Sequence, residues 1–378
     1  MYKKIFLIGL LVLASLPTHA AGPSRVAAPQ SDLWPESVNS TEAFDRASRA
    51  HILVFARELA ASELLSDKQL ATTLKIKHVD HRPLDAIRTK FWQRLASNYA
   101  MATAHCRAGE DFCTPAADAD ALRKVAAALD SPPAPRYQAW FTDAQSFHRT
   151  YLDELLRLAA LFPRTSSEVD TFSLREISGN ELPDRHFLLT FDDGPTRAGG
   201  DTDQTLAMLR ALHMNAIFFT LGGNLQARLH QRTQVATAND YAGMCVGSHG
   251  WEHKPHSTWP QWRDSVTRSV AQVRDSLPDS FTPLFRPPYG QRLPDSGSFF
   301  DAHDIRVTLW NIDSQDWNSK VDADQVKQRV LALMLLWRHG IVLFHDIHPK
   351  AQVAVPWIMA QTRDAGIQWI DCHGFPAP

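Results

Sequence analysis

Adjacent carboxylates at Asp192 and Asp193 close a short apolar run over residues 187–191, and Gly194-Pro195 turns the chain directly behind them. Successive side chains of an extended segment point to opposite sides. One carboxylate can therefore hold a metal while its neighbour moves protons. Four further polar clusters follow at the ends of apolar runs. Ser248-His249-Gly250-Trp251-Glu252-His253 offers two histidines at i and i+4, a spacing that can share one helical face and present two nitrogens to one ion. With a carboxylate they make a two-His, one-Asp set, suited to Zn²⁺ or a similar divalent cation in hydrolysis. His256 reads as a solvated loop histidine, with a further ligand as the alternative.

In Arg286-Pro287-Pro288-Tyr289-Gly290 two prolines stiffen the backbone, so the Tyr289 amide can be aimed at a developing oxyanion. Arg286 can hold a carboxylate ionised. Asp313-Ser314-Gln315-Asp316-Trp317 sets carboxylates beside a large ring. Leu343-Phe344-His345-Asp346 places a histidine at a strand end, a position suited to a general acid.

These clusters need a scaffold that brings strand ends together. Apolar runs near residues 187–191, 216–220, 244–247, 283–285, 306–312, 340–344 and 367–370 alternate with amphipathic stretches such as 203–212, 261–277 and 323–338. That alternation predicts a parallel sheet, either a seven- or eight-stranded β/α barrel or an open doubly wound sheet. Upstream the pattern is helical. Phe44, Ile52, Phe55 and Leu59 fall at helical spacing behind an Asn39/Glu42 cap pair, and a second helix starts near Pro83 with Leu84, Ile87, Phe91 and Leu95 on one face. Further helices are expected over 121–129 and 136–162, separated by Pro132-Pro133-Ala134-Pro135. Trp92, Tyr99, Trp140 and Phe141 read as core, with a ligand groove as the alternative. The expected organisation is a signal peptide over 1–20, a flexible leader over 21–40, a smaller all-α region over 41–165, a linker over 166–185 and the barrel over 186–378.

The signal peptide rests on Lys3 and Lys4, an apolar run over 5–16 and a small-residue cleavage site ending at Ala20. The run is shorter than the roughly 20 residues that span a bilayer. A periplasmic or secreted protein with no stable membrane anchor after cleavage is expected. A net charge of −2 gives no electrostatic case for nucleic acid. In an oxidising compartment Cys106 and Cys113 make a plausible local disulfide, while Cys245 and Cys372 either pair or remain buried thiols.

In this order, Thr-Phe-Asp-Asp-Gly-Pro, His-x3-His, Arg-Pro-Pro-Tyr-Gly, Asp-x2-Asp-Trp and Leu-x-His-Asp resemble the five motifs of the polysaccharide deacetylases (carbohydrate esterase family 4, the NodB-homology domain). The resemblance covers about 185–373 and leaves out the helical region. It implies a distorted β/α barrel and a metal-dependent deacetylase. Residue by residue, it implies Asp192 as catalytic base, Asp193, His249 and His253 as metal ligands, and Arg286 as the group orienting Asp192. It further implies the Tyr289 amide as oxyanion donor, His345 as the acid tuned by Asp316, and Trp317 and Leu343 as walls of the acetyl pocket. Gly250 departs from the Ser or Thr usual at that place. The expected activity is removal of N-acetyl groups from an N-acetylhexosamine polysaccharide such as peptidoglycan or a chitin-like glycan. An O-acetyl polysaccharide esterase and a non-catalytic glycan-binding protein are the alternatives.

Overall fold

The computed structural model describes residues 25–30, 33–162 and 171–375. The expected signal peptide lies outside them.

The barrel starts from β1 (His186–Asp192), whose side chains divide by alternation. Phe187, Leu189 and Phe191 pack outward into the core under the helices, while Leu188 joins the inner apolar cluster. Thr190 and Asp192 follow Leu188 on that inner side. The same division sets Ile217 and Phe219 of β2 (Ile217–Thr220) inward with Cys245 of β3 (Cys245–Ser248). Leu284 of β4 (Phe281–Phe285), and Ile341 and Leu343 of β7 (Gly340–His345), complete that lining. All pairings are parallel. With β5 (Arg306–Val307) and β6 (Ile312–Asp313) the order is β5-β4-β3-β2-β1-β7-β6, and β8 (Gln368–Trp369) pairs with the start of β1. The sheet curls into a distorted, unclosed parallel β/α barrel, because no ladder joins β5 to β6.

That opening splits a run expected as one strand over 306–312. Arg286 draws the carbonyls of Thr308 and Leu309 to its guanidinium, and the Leu309 amide goes to Ile177, so these groups are lost to a sheet ladder.

Helices α1 (Thr41–Glu63), α2 (Asp67–Leu74), α3 (His81–Thr103), α4 (Ala119–Ala127) and α5 (Gln138–Leu161) precede the barrel. Ser40, not Asn39, caps α1, accepting from the Ala43 amide. Trp92, Tyr99, Trp140 and Phe141 are buried core. Within the barrel run α6 (Asp201–Ala211), α7 (Gly222–Gln231), α8 (Gln234–Asp240), α9 (Trp262–Ser276), α10 (Gly297–Ala302), α11 (Ala323–Trp337) and α12 (Lys350–Gln361). None of the described helices is long and apolar enough to cross a membrane.

Helix α11 explains how the two halves meet. From Leu331 to Trp337 every residue is buried, so the helix is apolar all round and needs cover on every side. One side faces the barrel; α1 and α3 cover another, in a single apolar cluster running through both halves. Polar ties follow the same boundary. Asn98 donates to the carbonyls of Leu336 and Trp337, and Ser48 to that of Leu335. Arg329 reaches the Asp313 and Ala27 carbonyls and the Glu154 carboxylate.

Candidate active site

The five clusters converge at the carboxyl ends of the strands. β1 delivers Asp192 in register with His345 of β7 and Phe219 of β2. Asp193 then takes a left-handed backbone (φ 78°) before the cis Gly194-Pro195 bond, and its own carbonyl accepts from Asn224. The Asp192 carboxylate is buried, with Oδ1 accepting from Arg286 Nη1 at 2.8 Å.

Arg286, fully buried, crosses the barrel interior from the end of β4. Nη1 also donates to Thr190 Oγ1 (2.8 Å), Nε to the Thr308 carbonyl (3.1 Å) and Nη2 to that of Leu309 (2.9 Å), with the group 4.2 Å from the Phe219 ring centroid. Burial pulls its pKa down while Asp192 opposes that.

His249 and His253 lie on the loop after β3, not on the helical face that their spacing suggested. Gly250 between them adopts φ 85°, which breaks any helix. A Cβ on Gly250 would fall 3.0 Å from His256 Cε1 and 3.1 Å from Ser265 Oγ, so the buried His256 ring fills the space a side chain would take. His256 is therefore no solvated loop histidine; its Nδ1 bonds the Lys254 carbonyl and its ring packs on Phe285.

The Nδ1–H of His249 donates to the Arg286 carbonyl (2.7 Å), which leaves the Nε2 lone pair facing Asp193 Oδ1 at 3.4 Å. His253 Nε2 lies 3.5 Å from that oxygen. Burial first, and His249 second, bring the His253 pKa down to about 4, so this imidazole is neutral and able to ligate at pH 7. Burial alone would raise Asp193, but contact with His249 and the charge of His345 outweigh it and hold the carboxyl well below its usual range. Asp193 Oδ1 is buried and has no hydrogen-bond partner among the described residues. Three ligand atoms within 4.8 Å of one another, all directing lone pairs inward, fit a divalent cation. A second trio, Cys245, Cys372 and His373, does not, because its cysteines are joined to each other.

Across the mouth His345 Nδ1 meets Asp316 Oδ1 at 2.7 Å, and its amide donates to Asp316 Oδ2 at 2.8 Å. Burial would lower the His345 pKa, but the Asp316 carboxylate, with Asp193 and Asp192, pushes it up to about 10. Leu343, two residues before His345, lies on the same inner side one layer deeper. Tyr289 and Trp317 are 44% and 40% exposed and present ring surface to solvent. Tyr289 has φ 58°, uncommon for a bulky residue, and its ring stands edge-on to His253.

Two site residues carried no expected role. Thr190 stands in the apolar run of β1, bridging Arg286 and the Val342 carbonyl. Asp346 is buried against Gly194, where any Cβ would overlap its carboxylate, and accepts from Thr202 Oγ1 at 2.7 Å. A polar residue inside the run Leu188-Leu189-Thr190-Phe191 and the Asp of Leu-x-His-Asp were the signals for them. The structure joins Cys106 to Cys113 and Cys245 to Cys372.

Residues 179–308 match the family profile described as polysaccharide deacetylase. The chain is 27% identical over 183 residues to a bifunctional xylanase/xylan deacetylase of Cellvibrio japonicus (47% of this chain, 26% of that one). It is 28% identical over 196 residues to a peptidoglycan-N-acetylglucosamine deacetylase of Bacillus cereus (49% of this chain, 68% of that one). Among solved structures it is similar to a family 4 carbohydrate esterase from Streptomyces lividans in complex with acetate (27% identity, TM-score 0.40, 47% of this chain and 86% of that one). The chain thus spans about a quarter of the first relative's length and about two thirds of the second's. The stretch that matches the polysaccharide deacetylase profile, residues 179–308, carries Asp192, Asp193, His249, His253, Arg286 and Tyr289 of the clustered residues.

Proposed function

We propose that this protein is an exported, metal-dependent hydrolase that removes N-acetyl groups from a polysaccharide containing N-acetylhexosamine, peptidoglycan or a chitin-like glycan. The observation that carries this reading is the pairing of two charged groups beside the Asp193, His249 and His253 trio: a carboxylate fixed by Arg286 and an imidazolium fixed by Asp316. Binding a glycan needs neither; amide hydrolysis needs both.

Asp193, His249 and His253 would hold the cation, and two nitrogens with one carboxylate oxygen suit Zn²⁺. Such an ion supplies Lewis-acid polarisation of the acetamido carbonyl and makes water more acidic. The chain supplies the rest. Asp192, with one oxygen committed to Arg286, uses the other to accept the proton of the attacking water. The Tyr289 amide, which no hydrogen bond of the described residues engages, donates to the developing oxyanion. His345 gives a proton to the departing amine, a step an amide requires because amines leave poorly as anions. Trp317 offers a flat face to a sugar ring, and Leu343 sets the depth of the acetyl site.

Export is supported by the signal-like residues 1–20 and by the two disulfides, which persist in oxidising compartments. The helical region over 41–165 is read as a cover for α11 rather than a glycan-binding module.

Acetate release from peptidoglycan, chito-oligosaccharides and acetylated xylan tests the proposal, with the native enzyme, after chelation, and with Asp192→Asn. Acetate from an N-acetylated glycan, lost on chelation and in Asp192→Asn and restored by Zn²⁺, supports it. Acetate from xylan alone would make the protein an O-acetyl esterase, in which an alkoxide leaves more readily and dependence on His345 weakens. A glycan that binds without losing acetate would overturn the catalytic reading.

A further inference from the structure

Away from the barrel mouth, where the C-terminal end of α2 meets the middle of α5, a cavity of about 240 Å³ opens beside the N-terminal stretch. Three cations on three separate segments border it: Arg25 ahead of α1, Lys75 capping α2 and Arg157 on α5. Thr72, Thr73 and Thr150 complete the polar wall. None of the three cations makes an ion pair within 4.0 Å among the described residues. Arg157 borders the cavity from α5, and its buried Nε and Nη1 have no hydrogen-bond partner among the described residues. A buried donor left unpaired is costly, more so when charged, so native structures almost always supply it with a partner.

The two carboxylates of the wall do not fill that place. Both Glu154 oxygens are committed, Oε1 to the Ala27 amide (2.7 Å) and Oε2 to Arg329 (3.2 Å). Asp153 sits one turn before Arg157 yet forms no ion pair with it, and burial raises its carboxyl, against the pull of Arg149 and Arg25. The cavity therefore holds three positive side chains against at most one unengaged carboxylate. The α2 terminus presents carbonyls, which repel anions, so recognition falls to the side chains. Thr72 already donates to the Lys68 carbonyl, whereas the hydroxyls of Thr73 and Thr150 make no hydrogen bond among the described residues.

We propose that this cavity is a binding site for a small oxyanion, a carboxylate or phosphoryl group, held by Arg157, Lys75 and Arg25. Arg157 presents the planar fork that suits either group, and Lys75 adds a mobile point charge. The volume admits the anion together with a substituent, since a water's share of liquid volume is about 30 Å³. The site is independent of the deacetylase reading; no residue of the cavity touches the barrel mouth.

Isothermal titration of the full chain at low ionic strength tests this. The probes are inorganic phosphate, a dipeptide with a free carboxylate, and the same dipeptide as its amide. Saturable binding of phosphate or of the free acid, weakened about tenfold or more in Arg157→Gln and again in Lys75→Gln, is the expected result. Phosphate alone would identify a phosphoryl ligand; the free acid without the amide would identify a carboxylate. Binding that both variants leave unchanged belongs elsewhere and overturns the proposal, as does no saturable binding of either anion. Lys75 is exposed, so Lys75→Gln keeps the test meaningful if Arg157→Gln folds poorly. Acetate release should be unaltered in both.

Discussion

Arg286 and Asp192 form an ion pair at 2.8 Å inside the barrel, the guanidinium fully buried and the carboxylate nearly so. Every nitrogen of Arg286 has an acceptor, so the pair is a fixed strut between β4 and β1. Breaking such a pair from one side leaves an uncompensated buried charge, at about 3–5 kcal/mol. Arg286→Met should lower stability by that order, whereas Arg286→Met with Asp192→Asn should cost less than the two single changes added. A denaturation cycle measures the coupling. Asp192→Asn, close in shape, should keep the fold and reduce acetate release by about 10²–10⁴-fold.

Asp316 sets the charge on His345. The folded-state pKa of about 10 stands above the ordinary 6.5. The stabilisation tied to that proton is therefore fully present below about 6.5 and lost as pH rises through about 10. The native enzyme should keep activity into alkaline conditions and fall near that value. Asp316→Asn removes the largest cause of the rise, so its alkaline limb should shift to lower pH, with the melting temperature losing its dependence over the same window. Profiles of rate and of melting temperature from pH 6 to 10.5 check both.

Asp193→Ala and His249→Ala should each abolish stoichiometric metal retention, read by elemental analysis of the dialysed protein. His253 is the more exposed of the two imidazoles, with about a third of its side chain open. His253→Ala should weaken retention by a smaller factor, and added Zn²⁺ should restore more of its activity.

Gly250 and His256 occupy one space. Gly250→Ser meets both a left-handed backbone and the His256 ring at 3.0 Å, and should cost about 1–3 kcal/mol with weaker metal retention. Adding His256→Ala should recover part of the loss, a non-additivity that chemical denaturation resolves.

The Cys245–Cys372 bond closes 127 residues, against 7 for Cys106–Cys113. Chain entropy makes the longer loop worth about 4–5 kcal/mol and the shorter about 2–3 kcal/mol. Cys372→Ser should lower the melting temperature more than Cys113→Ser does, with scanning calorimetry as the measure.

The strands and the five clusters were legible because each is an apolar run ending in chemistry-bearing residues, and alternation assigns their sides without further information. That Asp192 and His345 stand in register across β1 and β7 is a matter of strand pairing, which alternation does not fix. What the sequence concealed depends on contacts made at a distance. The split between Val307 and Ile312 follows from Arg286 taking two carbonyls, which no local pattern announces. His249 and His253 come together through a loop turned by Gly250, where i, i+4 spacing suggested a helix. In the sequence His256 reads as exposed, because nothing nearby reveals that Phe285 packs on it. The eight residues of α2 and the seven of α8 are too short for a clear period. Leu331 to Trp337 read as an ordinary barrel helix, and only the packing of Ser48 and Asn98 onto it shows why it is apolar all round.

That last arrangement governs how the chain can be divided. A chain begun at residue 179, where the family match starts, and kept to the end of the barrel would retain all five polar clusters and still expose the α11 face now met by α1 and α3. Leu331, Leu335, Leu336 and Trp337 would face water, and Arg329 would lose two of its partners, Ala27 and Glu154. The helices then act as a resident chaperone for the barrel, and unfolding should proceed as one cooperative transition. Because Arg329 also holds the carbonyl of Asp313, three residues before Asp316, loosening the helical region would be felt at the Asp316–His345 pair.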